Sequence, residues 1–167
     1  MNIKSHTAIL ALLLLTAYSG KGQNKIISHK IEVRFDSLYP NALNVRWENT
    51  SLKSISQQVS FDCNNCKEGI NQTITFDING NIINKDIIIS EKDLPAGSIS
   101  YIENNYPNGF KYGHINKNIA NDGQISYQVD MLQTDPDGTP TSGGWVYVLK
   151  FTSSGEFISL EKRMSNL

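Results

Sequence analysis

The chain has 167 residues, of which 39% are apolar and 19% are charged, and its formal net charge is −1. This length predicts one domain or two very small ones. A near-neutral charge disfavours a nucleic-acid-binding protein, because such proteins concentrate positive charge for the phosphate backbone. Two Cys and three His exclude a disulfide-dense scaffold and an array of zinc sites.

The first 22 residues are typical of a secretory signal peptide. Lys4 supplies a positive charge, an apolar run covers residues 8–18, and small residues follow it up to Gly22. The run is too short to span a bilayer, which takes about 20 apolar residues. The alternatives are an uncleaved anchor or a buried first helix. We expect cleavage near residues 20–23, leaving a periplasmic or secreted protein without a membrane span.

The chain that follows contains an internal repeat. The segment Phe35–Pro40 (FDSLYP) is echoed by Ile102–Pro107 (IENNYP). In the same order, Phe76–Gly80 (FDING) is echoed by Phe151–Gly155 (FTSSG). The spacing is longer in the second copy, which fits an insertion at 135–144, a stretch of turn formers that predicts a long hairpin loop. The repeat predicts two related units in one chain.

The predicted units cover residues 23–92 and 93–167, or form one continuous domain over 23–167. Each unit opens with a helix pattern that ends before a proline, because the residue before proline avoids the helical region. Apolar residues at helical spacing define one face of each helix. They are Ile27, Ile31, Phe35 and Leu38 in the first helix, and Ile99, Ile102 and Tyr106 in the second.

Alternating apolar and polar residues predict four strands after each helix. They lie at 43–47, 55–61, 74–78 and 81–89 in the first unit, and at 110–114, 125–131, 147–151 and 157–162 in the second. Such alternation gives a sheet one buried face and one wet face, and the apolar stripe of the helix must cover the buried one. We predict an α+β fold of two tandem helix-plus-four-stranded antiparallel units. Side by side, they would make one eight-stranded sheet with the helices on one face.

Six short motifs occur in a characteristic order. They are Tyr39-Pro40, Val45-Arg46-Trp47, Phe76–Gly80, Asp93-Leu94-Pro95, Tyr106-Pro107 and Phe151 with Gly155. This order resembles the PepSY-like family of exported bacterial proteins, which is described as beta-lactamase-inhibitor-like, over about residues 30–163. The resemblance implies tandem helix-plus-four-strand units in the cell envelope and no catalytic residues. By analogy with inhibitor proteins of that architecture, it also implies that the wet sheet face binds a partner.

The chain departs from that family pattern at Cys63-x-x-Cys66. A redox pair of this spacing normally begins a helix, whose N-terminus lowers the thiol pKa, but strand patterns flank this one and Asp62 precedes it. A zinc site needs two more ligands, for which His29, His114 and carboxylates are available. We favour a structural disulfide that staples a hairpin loop, worth ~2 kcal/mol, over a redox pair or half a metal site. We expect no metal and no cofactor.

Two further residues invite a functional reading. His114 shares a predicted strand face with Phe110 and Tyr112, so a packing role is favoured over a catalytic one, and by position it is the counterpart of Trp47. Trp145 follows a glycine pair and is either an exposed binding aromatic or an ordinary first residue of a strand. A nucleophilic triad needs a positioned base, and the sequence offers none.

The sequence therefore predicts a non-enzymatic, exported binding or inhibitor-like module with a protein or peptide partner in the cell envelope. The predicted partner face consists of Arg46, Gln58, Thr75, Lys111, Gln128 and Lys150, with Trp145 as an additional aromatic contact. One alternative is a thiol–disulfide or metal-handling accessory protein that uses Cys63 and Cys66. Another is an envelope sensory domain that binds a peptide at a sheet edge.

Overall fold

The computed structural model describes residues 27–48, 56–64, 66, 70–106 and 108–165, and the predicted signal peptide lies outside these ranges. The helices are α1 (His29–Leu38) and α2 (Ala96–Asn105). The strands are β1 (Leu43–Glu48), β2 (Ser56–Asp62), β3 (Asn71–Asp77), β4 (Ile82–Ile88), β5 (Phe110–Ala120), β6 (Ile125–Gln133), β7 (Trp145–Thr152) and β8 (Phe157–Met164). The sequence patterns predicted each of these elements.

Both helices are short, and they end in the same way. Ile31 and Phe35 form the buried stripe of α1, one helical turn apart. The helix ends because Tyr39 leaves the helical region, with φ −132°, and its N–H donates to the carbonyl of Phe35 at 2.9 Å. Tyr106 ends α2 with φ −133°, and its N–H donates to the carbonyl of Ile102 at 2.8 Å.

The eight strands form one antiparallel sheet in sequence order, β1 to β8. The predicted eight-stranded antiparallel sheet is therefore confirmed. A row of paired residues crosses the face on which both helices pack. It runs Phe61, Gln72, Ile87, Lys117, Tyr127 and Phe151. Because Phe61 contacts Phe35 of α1 and Phe151 contacts Tyr101 of α2, the two helices cover the same face.

The covered face holds two buried clusters, one under each helix. The first consists of Ile31, Phe35, Val59, Phe61, Cys63, Ile74 and Phe76. The second consists of Leu94, Ile102, Ile115, Val129, Met131, Leu149 and Phe151. Ile87 of β4 is also fully buried and lies at the junction, because β4 is the strand that pairs with β5. The core is thus divided into one cluster under each helix, and Ile87 lies in the middle of the sheet between them.

Two hairpin turns bring glycines against the helices. Gly80, between β3 and β4, has φ +82°, and Gly155, between β7 and β8, has φ +89°. Both glycines are buried. A left-handed conformation is costly for residues with a side chain, so glycine is the residue that fits these turns.

His114 does not share the face of Phe110 and Tyr112, as the sequence pattern predicted, because β5 contains a bulge. Tyr112 lies opposite Met131, but the next buried pair joins Ile115 to Val129, so β5 carries one more residue than β6 over this span. The extra residue shifts the alternation by one position. Ile115 therefore takes the buried place, and His114 is exposed.

Candidate binding face

The face of the sheet opposite the helices carries a straight row of polar residues. Each member lies directly opposite the next one on the neighbouring strand, from β1 to β7. This central row consists of Arg46, Ser60, Thr73, Asp86, Asn118, Ser126 and Thr152. Polar residues gather along this row because period-2 alternation sends most apolar residues of these strands to the helices. Leu132, Val146 and Val148 lie on the same face, farther along β6 and β7.

Two flanking rows run beside the central row. On one side lie Ile88, Asn116, Gln128, Lys150 and Ser159. On the other side lie Glu48, Gln58, Thr75 and Asn84. The flanking rows contain longer side chains than most of the central row, notably Gln58, Gln128 and Lys150. The middle of the central row is therefore the floor of a depression, with Gln58 on one side and Gln128 and Lys150 on the other.

Three adjoining cavities follow the central row. They have volumes of about 440, 510 and 480 Å³. Thr73 lines both the first and the second, while Asn118 and Ser126 line both the second and the third. Because neighbouring cavities share floor residues, they form one continuous trough. We use "trough" for this groove, whose floor is the central row.

Side chains of the floor are held by hydrogen bonds to one another. The hydroxyls of Ser60 and Thr73 lie 2.9 Å apart. Asp86 accepts a hydrogen bond on each carboxylate oxygen, from Asn118 Nδ2 at 2.7 Å and from Asn84 Nδ2 at 2.7 Å. These bonds fix the middle of the trough before any ligand arrives, and such preorganisation reduces the entropy lost on binding.

A second carboxylate on this face is structural. Asp130 of β6 is only 5% exposed, and its Oδ2 accepts from Arg163 Nη2 of β8 at 2.8 Å. The guanidinium reaches across β7 to do so, because β7 lies between β6 and β8. A buried carboxylate needs such a partner, since an unpaired buried charge is strongly destabilising. The pair therefore ties the outermost strand to the sheet.

The structure brings most of the predicted partner face together. Arg46 is the first residue of the central row, and the flanking rows supply the four residues Gln58, Thr75, Gln128 and Lys150. Lys111 lies on the same face, but opposite Leu132 and away from the trough. The predicted aromatic contact, Trp145, does not lie on this face.

Trp145 lies on the face that the helices cover. It is 40% exposed, and Lys162 Nζ lies 4.2 Å from its ring centroid and 5.1 Å from that of Tyr147. Tyr147 packs against the second buried cluster, and Trp145 shares its face because it is two residues away along β7. The tryptophan and the polar trough are thus on opposite sides of the sheet.

Cys63 and Cys66 are joined by a disulfide, with Cα atoms 5.4 Å apart. Cys63 is buried beside Phe61, and its N–H donates to the carbonyl of Ile70 at 2.7 Å. The bond therefore closes the loop that follows β2. Within the described ranges, neither cysteine begins a helix, and no free cysteine and no cluster of three potential metal ligands occurs.

The sequence reasoning missed most of the trough floor. Ser60, Thr73, Asp86, Asn118 and Ser126 are ordinary polar members of alternating strands, and nothing in their spacing sets them apart. They form a row only because successive hairpins place them opposite one another. The sequence signal that bears on this row is the turn residues of each hairpin, because they help to set the register of its two strands.

The outermost strand, β8, is exposed along its whole length. It carries exposed apolar residues, including Ile158 and Leu160, and three consecutive charged residues at 161–163. Among the described helices, none is long and apolar enough to cross a membrane.

Comparison with known proteins bears on the fold. No family profile and no curated protein matches the chain. A DUF2874 family protein from Bacteroides uniformis superposes with a TM-score of 0.65 at 14% identity, covering 81% of this chain and 89% of the other. A BLIP-like protein from Bacteroides fragilis superposes with a TM-score of 0.60 at 17% identity, covering 83% and 88%. The fold is beta-lactamase-inhibitor-like.

A third similar structure is a protein that is described as periplasmic. It is a Bacteroides eggerthii protein provisionally assigned to the periplasm, with a TM-score of 0.64 and 13% identity, covering 81% of this chain and 88% of the other. The superpositions establish a shared beta-lactamase-inhibitor-like fold. At identities this low only the fold is shared, and a fold alone does not fix an activity.

Proposed function

We propose that the protein is a non-enzymatic, exported binding module whose polar sheet face docks on a protein partner in the cell envelope. The observation that carries the proposal is the trough, a preorganised groove on the face that the helices leave open. The beta-lactamase-inhibitor-like fold and the periplasmic assignment of one similar structure support it. The signal peptide expected at residues 1–22 supplies the route of export.

The chemistry of the trough favours binding over catalysis. The central row contains neither His nor Cys. The hydroxyl of Ser60 is hydrogen-bonded to Thr73, not to a group that could take its proton. Both oxygens of Asp86 accept amide hydrogen bonds, so its charge is held in place for recognition.

We also propose that the two halves of the chain, 23–92 and 93–167, are tandem copies of one PepSY-like unit. Three resemblances support this. The helices are both ten residues long and end alike, each half has its own buried cluster, and each half has a buried, left-handed glycine in its last hairpin.

The direct test is cross-linking of the full-length protein in its native envelope, followed by binding measurements with the captured partner. A variant with alanine at Arg46, Gln58, Thr75, Gln128 and Lys150 should bind at least about tenfold more weakly, because several interface contacts disappear together. A control variant with alanine at the exposed helix residues Lys30, Glu32 and Asp36 should bind normally. A partner that binds the face variant as tightly as wild type contradicts the proposal.

Inhibition of a beta-lactamase is a narrower form of the proposal and needs its own assay. Titration of the protein into a beta-lactamase should reduce turnover stoichiometrically if the partner is such an enzyme. Unchanged turnover removes the inhibitor hypothesis, while the binding hypothesis is decided by the cross-linked partner.

A further inference from the structure

We infer that the trough takes an extended polypeptide segment of the partner, laid across the strands and not along them. The inference rests on the proposed function and adds the chemistry and direction of the bound chain. The direction follows from shape: the central row, which crosses the strands from Arg46 to Thr152, is the floor of all three cavities. In the middle cavity the walls are Gln58 on one side and Gln128 and Lys150 on the other.

The length of the trough sets the length of the segment. The central row spans seven strands, β1 to β7, and therefore six strand spacings. Six spacings of about 4.8 Å give about 29 Å. An extended chain advances about 3.3 Å per residue, so about nine residues would fill the groove.

The hydrogen-bonding groups of the floor match a polypeptide backbone. Hydroxyl and amide side chains both donate and accept, as the N–H and C=O of each peptide group require. Nucleobases are bound through aromatic stacking, and the central and flanking rows contain no aromatic residue. Ile88 is the apolar side chain that lines both of the first two cavities, and Ala120, Ile125 and Ile158 line the third. The polar floor between them leaves little continuous apolar surface for a lipid.

Asp86 and Arg46 are the charged residues of the central row, while Lys150 and Asp62 line the same two cavities from the sides. The charges of the floor specify the side chains that point down from the segment. Asp86 lies mid-floor, and each of its oxygens keeps a lone pair beyond its one amide bond. Arg46 lies three strands away, at about 14 Å, which an extended chain covers in about four residues. Residues four apart in an extended chain point to the same side. The complementary segment is therefore polar, with a basic residue over Asp86 and an acidic residue four positions away over Arg46.

The experiment uses full-length, isotope-labelled protein and defined peptides followed by NMR. The probe is a nine-residue peptide of Ser and Thr with Glu at position 2 and Arg at position 6; a matched peptide of the same composition carries both charges at adjacent positions. We expect the probe to shift the side-chain amide signals of Asn84 and Asn118, and to bind more tightly than the matched peptide. Asp86→Asn should weaken its binding about three- to fivefold, as expected for a partly exposed ion pair. Asp36→Asn, on the exposed side of α1, is the matched control.

Three results would overturn the inference. The first is an absence of shifts along the central row at millimolar peptide. The second is a linear oligosaccharide such as cellohexaose shifting these signals while the peptides do not. The third is peptide-induced shifts confined to β8 or the helices. The proposed function is decided separately by the partner's response to the face variant, so failure of one is distinguishable from failure of the other.

Discussion

At the scale of single residues, the two buried turn glycines show how tightly each helix approaches its hairpin. A Cβ added to Gly155 would lie 2.6 Å from the Ser98 nitrogen and 3.0 Å from Pro95 Cβ. A Cβ added to Gly80 would meet nothing closer than Arg34 Cδ at 3.7 Å. Both positions require the left-handed conformation, but only Gly155 also requires the missing side chain for close packing.

We therefore expect Gly155→Ala and Gly80→Ala to differ in cost. Gly80→Ala should lower the free energy of unfolding by about 1–2 kcal/mol, the cost of a left-handed alanine. Gly155→Ala should cost about 2–4 kcal/mol, because overpacking against α2 is added. Urea denaturation of both variants measures the difference. Equal losses would mean that α2 yields to the new methyl group without strain.

His114 shows what the sequence could not supply at this scale. Counting in twos along β5 predicts a buried His114, and the bulge between Tyr112 and Ile115 invalidates the count. A bulge adds one residue without a distinctive composition, so periodicity alone does not reveal it. Gly113, whose added Cβ would lie 3.2 Å from the Asp130 carbonyl oxygen, is the one local sign of the close approach.

At the scale of elements, the β3–β4 turn is organised by one carboxylate. Asp77 Oδ1 accepts the N–H groups of Asn79 and Asn81, each at 2.8 Å, and Oδ2 accepts Asn81 Nδ2 at 2.9 Å. The side-chain amide of Asn81, followed by its backbone N–H, lowers the pKa of Asp77 below its ordinary value. These bonds favour the charged form, so the turn is tied to the ionised carboxylate.

The pKa of Asp77 gives a testable pH dependence. Because its folded-state pKa is depressed, its contribution to stability is present above the ordinary value of 3.8 and is lost as pH falls through the folded-state pKa. Asp77→Ala should therefore lower the free energy of unfolding at pH 7, and the difference from wild type should shrink in acid. In an NMR titration, Asn81→Ala should raise the pKa of the Asp77 carboxyl. An identical titration curve in wild type and Asn81→Ala would contradict this account.

Alternation predicted the existence of every strand but not every length. β5 was predicted only over 110–114, and it extends to Ala120. The pattern fails beyond the bulge because Lys117, a charged residue, occupies a helix-side position opposite Ile87. A long side chain can lie along apolar surface with its charge in solvent, so this substitution is tolerated in the fold but removes the signal from the sequence.

At the scale of the whole molecule, the two halves of the core are connected through the middle of the sheet. β4 and β5 pair over five residue positions, from Asn84 with Ala120 to Ile88 with Asn116. Ile87, within this junction, is completely buried. Ile87 belongs to neither cluster and lies on the strand that joins the two halves of the sheet, so we expect loss of packing there to affect both sides.

We expect Ile87→Ala to destabilise both halves together, by about 2–5 kcal/mol, because a cavity at a fully buried site is costly. Native-state hydrogen exchange should then accelerate in both β2–β3 and β6–β7. Ile83→Ala, in the same strand but 37% exposed, is the control and should change exchange much less. Faster exchange confined to one half would show that the halves unfold independently.

The trough is the feature that the sequence predicted least well. Asp86 and Asn118 are hydrogen-bonded although they are 32 residues apart in the chain. Their meeting depends on the lengths of α2 and its flanking loops and on the register of β4 with β5. The sequence predicted which residues face away from the helices, such as Gln58 and Lys150. Which of them become neighbours is decided by pairing between distant strands.

β8 is one of the two edge strands of the sheet and is exposed along its whole length. A long exposed edge strand is a template for edge-to-edge pairing with another sheet, and natural proteins counter this with charged side chains on the edge. Here Lys162 rests over Trp145, and Arg163 is bound to Asp130. A second copy arriving at β8 would meet a charged segment whose two basic side chains are already engaged within the molecule. The charged segment thus protects this edge of the sheet against fibre growth.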